Sequence, residues 1–411
     1  MKIALVDGHS TGRALVEAVR RRGIPCVHIS SSPRMSEYFT RGFDPAWYDA
    51  CLDATAGPAA LAARLASLGV TRVVAGTESG VVLTDTLTHL MALPGNRYET
   101  VGARRDKAAM GRAVAAAGLA TPLTAEFADA DRAATWFAAG GLAEAVVKPP
   151  SSAGSDNVRF CRTADEVREA CARVLGSRNL YGEPNRAALV QERLHGVEYY
   201  ANSVSHDGVH RIAELWRYTK RSGAGGHPVY DYEQPVAPDA AQAASVRAFV
   251  PAVLDALGVA CGAAHTEVMA TARGPVLIES GARLGGGTLP WVIEKYCGTS
   301  QTSLLADTLV EPDALRRFDD TAAVRPGELR NVALINSEAG TVRSLDWADR
   351  LQRLPTLVAL SHGVRPGQRL PVTTDLLSSP GYVYLAAQDP HEVERDYDAL
   401  RFMESRSLYT G

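Results

Sequence analysis

Across residues 1–105 short apolar runs alternate with amphipathic stretches, a rhythm that suits a parallel sheet with helices on both faces. Ile3–Val6 reads as a strand, Gly8–Gly12 as a turn, and Arg13–Arg22 as a helix ending at Gly23; Ile24–Ile29 is the next strand. Ala59–Leu68 reads as a helix ending at Gly69, ahead of a buried-type strand over Thr71–Ala75. Ligands of such a sheet sit at the carboxyl ends of its strands, where Asp7-Gly8-His9-Ser10 and Gly76-Thr77-Glu78-Ser79 fall.

The chain has 411 residues, too many for one core, so two to four domains of about 100–200 residues are expected. A helix is expected over Asp106–Ala117, with Asp106 as N-cap and a stop at Gly118. Ala145–Lys148 and Val158–Cys161 read as strands flanking a loop of small residues, Ser151–Ser155, and Ala164–Leu175 reads as a helix. Ala188–Gln191 and Tyr199–Val204 are further strands. A helix over Arg247–Leu257 precedes a hairpin, Ala264–Ala270 and Val276–Glu279, turning through Thr271–Pro275. Beyond about Arg325 strands are expected at Asn331–Ile335 and Gly381–Ala387, and a last helix over His391–Met403.

Charge and cysteine usage remove several classes of function. The formal net charge is −3, which leaves no cationic excess to neutralise a nucleic-acid backbone. Apolar runs break within about ten residues, short of the ~20 that span a bilayer, so no membrane partner is expected. No export signal is legible at Met1–Asp7, and the six cysteines show no CxxC spacing, which fits a cytoplasmic protein without disulfides or structural zinc.

The hairpin carries the first chemical signal. Glu267 lies mid-strand in His265-Thr266-Glu267-Val268-Met269, and Glu279 ends Val276-Leu277-Ile278-Glu279. If both face one side, two partly buried carboxylates meet, and a hard cation such as Mg²⁺ relieves their repulsion. Arg283 follows in a turn that runs into Gly285-Gly286-Gly287, and a guanidinium there suits a phosphoryl group. Lys148 ends a strand just before Ser151-Ser152-Ala153-Gly154-Ser155, whose backbone N–H groups can approach phosphate oxygens. Val190–Tyr199 reads as a hinge whose backbone can pair with an adenine edge while Glu198 accepts from ribose hydroxyls.

The order Lys107, Lys148 with its small-residue loop, Glu192–Glu198, Glu267, then Glu279 and Arg283 resembles the ATP-grasp superfamily of carboxylate–amine ligases. "HTEV" followed by "IESGARLGGG" looks most like its L-amino acid ligase branch. The fold this implies is α/β and α+β: an N-terminal doubly wound parallel-sheet domain over 1–105, a two-lobed ATP-binding module over 106–320 with its lid at about 121–200, and a small α+β C-terminal domain over 321–411. The resemblance implies that Lys107, Lys148, Ser151, Ser152 and Ser155 contact ATP phosphates. Glu192, Arg193 and Leu194 would hold adenine, Glu198 ribose, and Glu267 and Glu279 Mg²⁺. Arg283 and Lys148 would be catalytic, and His265, Arg283, Gly285, Gly286 and Glu78 would line the amino acid site. An amino acid or other carboxylate and an amine are the implied partners, and a homodimer is left open. Many relatives carry Asn where Gly281 stands, so a second ion would need water or Ser280 instead.

Rival readings are weaker. Gly8-His9-Ser10-Thr11-Gly12 matches the GxSxG elbow of serine hydrolases, but it follows the first strand, whereas an elbow needs several strands before it. No Gly is followed by Lys, which excludes a P-loop, and no HExxH occurs. A nucleotide sensor of the same fold, a biotin-carboxylase-like ligase and a purine-pathway ligase also compete, because fold does not fix function. The aromatic and basic stretch Glu214–Tyr232 is expected as a flexible loop near the site, with Arg217 or Lys220 meeting phosphate or carboxylate, or else as a surface hairpin.

Overall fold

The computed structural model describes residues 1–32, 40, 42–152, 156–179, 182–223, 228–322 and 327–410. Strands β1 (Ile3–Val6), β2 (Cys26–Ser30), β3 (Ala50–Asp53) and β4 (Arg72–Ala75) form a parallel sheet in the order β3-β2-β1-β4. Alternation along β1 explains its unbroken apolar run. Ile3 and Leu5 pack with Leu15, Val16 and Leu305 on one face, while Ala4 and Val6 pack with Leu61, Leu65 and Leu87 on the other. Strand β3 was not legible in the sequence because it lies at the sheet edge, partly exposed along its length, and reads Ala-Cys-Leu-Asp.

A second, antiparallel sheet comprises β5 (Thr124–Phe127), β6 (Ala145–Lys148), β7 (Arg159–Cys161) and β8 (Ala188–Glu192), in the order β5-β8-β6-β7. Helices Ala130–Ala139 and Ala164–Leu175 cover it, burying Phe137, Val147, Val167 and Val174 together. The second of these opens on a capping box, Thr163 with Glu166, which satisfies backbone donors at its first turn.

The largest sheet is antiparallel and eight-stranded. It contains β9 (Val197–His206), β10 (Val209–Ser222), β11 (Pro228–Pro235), β12 (Gly262–Thr271), β13 (Gly274–Gly281) and β14 (Glu328–Ala333). After the small ladder of β15 (Gly340–Thr341) with β17 (Arg369–Leu370), β16 (Leu357–His362) and β18 (Gly381–Ala387) complete the order β13-β12-β9-β10-β11-β14-β18-β16. Helix Ala241–Ala256 packs its Val246, Val250 and Leu254 beneath β9, β10 and β12. Helix Lys107–Ala116 is capped by Asp106, whose side chain accepts from the Ala109 N–H. Helix Pro390–Glu404 closes the last hydrophobic cluster against β14 and β18. The segment from Glu214 to Ser222 belongs to β10, so the expected flexible loop is corrected there: it pairs with β9 as far as Arg217 and with β11 from Trp216 onward. The part of that expectation at 224–227 lies outside the described residues. Among the described residues no helix is long and apolar enough to cross a membrane, and all six cysteines are free thiols.

Arg104 fastens the first sheet's helix layer to the large sheet. It is fully buried, its Nε donates to Asp85 Oδ2 at 2.8 Å, and its Nη1 donates to the Leu257 carbonyl and Thr100 Oγ1, each at 2.7 Å. Removing one member of a buried pair leaves the other charge uncompensated. Arg104→Leu is therefore expected to lower the unfolding free energy by about 3–5 kcal/mol in urea titrations followed by circular dichroism. A loss below about 1 kcal/mol would mean the pair is not the fastening described.

Candidate active site

The large sheet arranges its polar side chains in rungs. Along β9, Tyr199 and Ala201 point into the core beneath the sheet, which turns Glu198, Tyr200 and Asn202 to the opposite face. Register places Asn202 beside His265 and Tyr200 beside Glu267, and the β12–β13 hairpin sets Glu267 directly opposite Glu279. Both carboxylates are partly accessible, with side-chain exposures of 19% and 27%.

Cations gather around this pair. Lys107 Nζ donates to Glu279 Oε1 at 2.8 Å and to the Ser152 carbonyl at 2.8 Å, joining the first helix of this region, the small-residue loop and the hairpin. Lys148 is 6% exposed, and burial together with Lys107 pushes its pKa down to about 8, against the pull of Glu279, Glu267 and Glu198. Glu267 is held below the usual carboxylate range: burial opposes ionisation, but His265, Lys220 and Arg283 outweigh it. Burial raises Glu198 instead, although Lys220 Nζ bonds both its oxygens at 2.8 and 2.7 Å. Lys220, from the stretch expected as a loop, thus reaches the site, whereas Arg217 turns to Gln234.

The donor set fits a hard divalent cation. Two ionisable carboxylates face each other across one rung, and Lys107 already supplies positive charge to one of them. Ser280, weighed as a substitute ligand, is corrected: it is 2% exposed, and its hydroxyl pairs with Thr266 Oγ1 at 2.8 Å. Gly281 has a spatial reason. A Cβ there would stand 2.7 Å from Glu78 Oε2, so the Glu78 carboxylate fills space that an Asn side chain would need.

That carboxylate comes from the first sheet. Arg283 Nε donates to Glu78 Oε2 at 3.1 Å, and Arg105 Nη1 to Glu78 Oε1 at 3.4 Å. Glu78 does not cap the helix Val81–Leu90, whose N-cap is Gly80. His265 Nε2 lies 3.5 Å from Glu267 Oε1, and a Cβ at Gly285 would stand 2.6 Å from Asn202 Oδ1. Gly286 has open space where a side chain would be.

Among the other expected residues, Ser152 joins this cluster only through its carbonyl, which accepts from Lys107, and Glu192, Arg193 and Leu194 stand apart from it. Glu192 and Arg193, where β8 ends, hold Arg273 and Glu144 respectively, and Leu194 follows half-buried. The Ser151 carbonyl accepts from Asn179, and Ser152 Oγ donates to Asp156. Ser155 lies outside the described residues. At the GxSxG turn His9 packs into an aromatic cluster with His28 and Phe43, and among the described residues neither imidazole bonds Ser10. Sequence reasoning missed Tyr200, Asn202, Glu214, Glu233 and Gln301, single residues in no motif that only strand pairing and packing bring to the site.

Glu233 gives a pH signature. Burial pushes its carboxyl up from 4.5 to about 7, against hydrogen bonds from Tyr200 and Asn331. Between those values the folded protein holds a proton that the unfolded chain has released, so stability falls as pH rises from about 4.5 to about 7, by up to about 3 kcal/mol. Glu233→Gln is expected to flatten that fall in urea titrations across the window; an unchanged slope would show that Glu233 titrates normally.

Comparison with known proteins bears on what such a site serves. Residues 333–401 match the family described as L-amino acid ligase C-terminal domain 2. Dapdiamide A synthase of Enterobacter agglomerans is 30% identical over 416 aligned positions, covering 100% of this chain and 97% of that protein. The crystal structure of L-amino acid ligase from Bacillus licheniformis superposes with a TM-score of 0.74 at 18% identity, covering 98% and 97% of the two chains. Carboxyaminoimidazole ribonucleotide synthase of Aspergillus clavatus, complexed with ATP, superposes at 0.71 with 13% identity, covering 99% of each chain, which shows the shared fold. The chain belongs to the L-amino acid ligase branch of the ATP-grasp superfamily, enzymes that form an amide bond with ATP.

Proposed function

We propose that this enzyme joins two amino acid-like substrates through an acyl phosphate, releasing ADP and phosphate, and that Glu267 and Glu279 hold the Mg²⁺ of Mg-ATP. The supporting observation is the Glu267–Glu279 rung with Lys107 and Lys148 beside it. Lys148 suits a triphosphate because it is already dehydrated, and the nucleotide's negative charge restores what burial disfavours. Lys107, which bonds Glu279 and the Ser152 carbonyl, would contact phosphate oxygens with Glu279 engaged by the cation. Ser151 and Ser152 would contact the phosphates in this reading, as would Ser155, which lies outside the described residues. The backbone at Glu192, Arg193 and Leu194 borders adenine, and Glu198 faces the ribose. In this reading the chain divides at about residues 105 and 320, with the lid at about 121–200.

Bound Mg²⁺ would neutralise charge that develops on the phosphates. A carboxylate oxygen of the first substrate attacks the γ-phosphorus in line, and ADP leaves. Arg283 is placed to stabilise the transferring group, and Glu78, fixed by Arg283 and Arg105, to take the ammonium group of an amino acid. The amine of the second substrate then attacks the acyl carbon near His265, Gly285 and Gly286, and phosphate departs. No protein nucleophile is required. Closure of the second sheet keeps water from the acyl phosphate.

The test offers amino acids in pairs with Mg-ATP and reads phosphate release and product mass. ADP formation that requires both partners is expected, and Glu279→Gln should lower kcat/KM by about 100-fold or more with circular dichroism unchanged. Formation of AMP and pyrophosphate, or ATP hydrolysis indifferent to the substrates, would contradict the reading.

A further inference from the structure

At the end of β9 away from the charged rung, three side chains of metal-ligating type converge. A ring nitrogen of His206, a carboxylate oxygen of Asp207 and Cys261 Sγ all lie within 4.8 Å of one another. His206 ends β9 six residues past Tyr200, the neighbour of Glu267, which puts the cluster about 20 Å along the strand from the candidate active site. No spacing motif announces it, because Cys261 comes from the threshold of β12 and not from the same strand.

The backbone fixes this convergence. Asp207 and Gly208 form the two-residue turn from β9 to β10, with φ of 49° and 74°, and His206 pairs with Val209 across it. The Gly208 N–H donates to the Ala260 carbonyl at 3.1 Å, and Gly262 pairs with Ser205, so Cys261 stands between two residues tied to the hairpin. Asn96 Oδ1 adds a brace from the first region, accepting from the Ala260 and Cys261 N–H groups at 2.9 and 3.1 Å.

The side-chain spacing approaches a coordination shell. Tetrahedral zinc, roughly 2.0–2.3 Å from its ligands, sets neighbouring ligand atoms about 3.3–3.8 Å apart. His206 Nε2 already stands 3.5 Å from Asp207 Oδ2. The widest separation in the cluster, at most 4.8 Å, exceeds that shell by about 1 Å, which a side-chain rotation closes. A neutral imidazole, a thiolate and a carboxylate together carry two negative charges, which balance a divalent ion, and mixed nitrogen, sulfur and oxygen donors suit zinc over magnesium. Burial raises the Cys261 thiol pKa, the hydrogen bond from the Asp207 backbone N–H opposes that, and a bound cation would complete the deprotonation. The Asp207 side chain is 64% exposed, so the cluster opens to solvent and a water can fill the remaining position.

We propose that His206, Asp207 and Cys261 form a zinc site, with water as the fourth ligand, that staples the β9–β10 turn to the start of β12. Its role is structural: β9 and β12 are paired neighbours, and the ion pins the far end of the two strands that carry Tyr200 and Glu267. The inference does not rest on the ligase reading above.

Cobalt(II) stands in for zinc in such sites and reports its ligands spectroscopically. The full chain, metal-free and reduced, is titrated with Co²⁺ in excess Mg²⁺, which takes hard-oxygen sites and competes poorly for thiolate. One equivalent should bind per chain with a thiolate-to-cobalt charge-transfer band, and Zn²⁺ should displace it. Cys261→Ser should abolish that band, and His206→Gln should weaken binding by at least the roughly 10- to 100-fold that loss of an outer-shell partner costs. Saturating Zn²⁺ should raise the wild-type Tm by about 2 °C or more and leave that of Cys261→Ser unmoved. Asp207→Asn, on the exposed turn, stands in should Cys261→Ser or His206→Gln fail to fold, and it too should weaken binding. Cobalt bound without the charge-transfer band, a band that survives Cys261→Ser, or zinc affinity unchanged in His206→Gln and Asp207→Asn would overturn the proposal.

Discussion

Two carboxylates set directly opposite each other on one hairpin repel, and much of the candidate site offsets that repulsion. Glu267 and Glu279 share a rung of β12 and β13, and everything charged nearby is arranged with respect to them. Lys107 bonds one, His265 and Tyr218 approach the other, and Lys148 is buried within their field. In the proposed reading Glu267 and Glu279 would hold a divalent cation, which would supply the positive charge that Lys107 now gives Glu279, and Lys107 and Lys148 would then face the phosphates. The proposed reaction rests on that arrangement.

The rest of the fold places partners for the pair from distant parts of the chain. The first sheet contributes Glu78 at the carboxyl end of β4, where ligands of parallel sheets gather, and Arg283 reaches it from beyond the hairpin. Gly281 permits the meeting, since any side chain there would displace Glu78. A Cβ at position 281 would stand 2.7 Å from Glu78 Oε2, so a side chain there would require the Glu78 carboxylate to shift. Arg104, buried against Asp85 and the Leu257 carbonyl, ties the helix Val81–Leu90 to the end of the helix Ala241–Ala256 that packs beneath the large sheet.

Much of this was legible in the sequence because it is local. β6, the helix Ala164–Leu175 and β18 fall where short apolar runs, helical periodicity and acidic residues in the helix's first turn put them. The hairpin that opposes Glu267 to Glu279 follows from two short apolar strands around a Gly-containing turn. What was not legible depends on pairing between distant strands. Asn202 and His265 meet across a separation of 63 residues, and Gln301 reaches Glu214 across 87. No spacing rule encodes such rungs. The stretch from Glu214 to Ser222 misled for a related reason: its aromatic and basic residues suggest an exposed loop, but it pairs with β9 as far as Arg217 and with β11 from Trp216 onward.

The central claim is that the charged rung activates a carboxylate as its phosphoric anhydride. Supplying the carboxylate substrate with ¹⁸O in both oxygens tests this most directly, by mass analysis of the released phosphate. The account predicts one ¹⁸O atom in each phosphate formed, together with unlabelled ADP. Phosphate free of label, or label appearing in AMP, would contradict it.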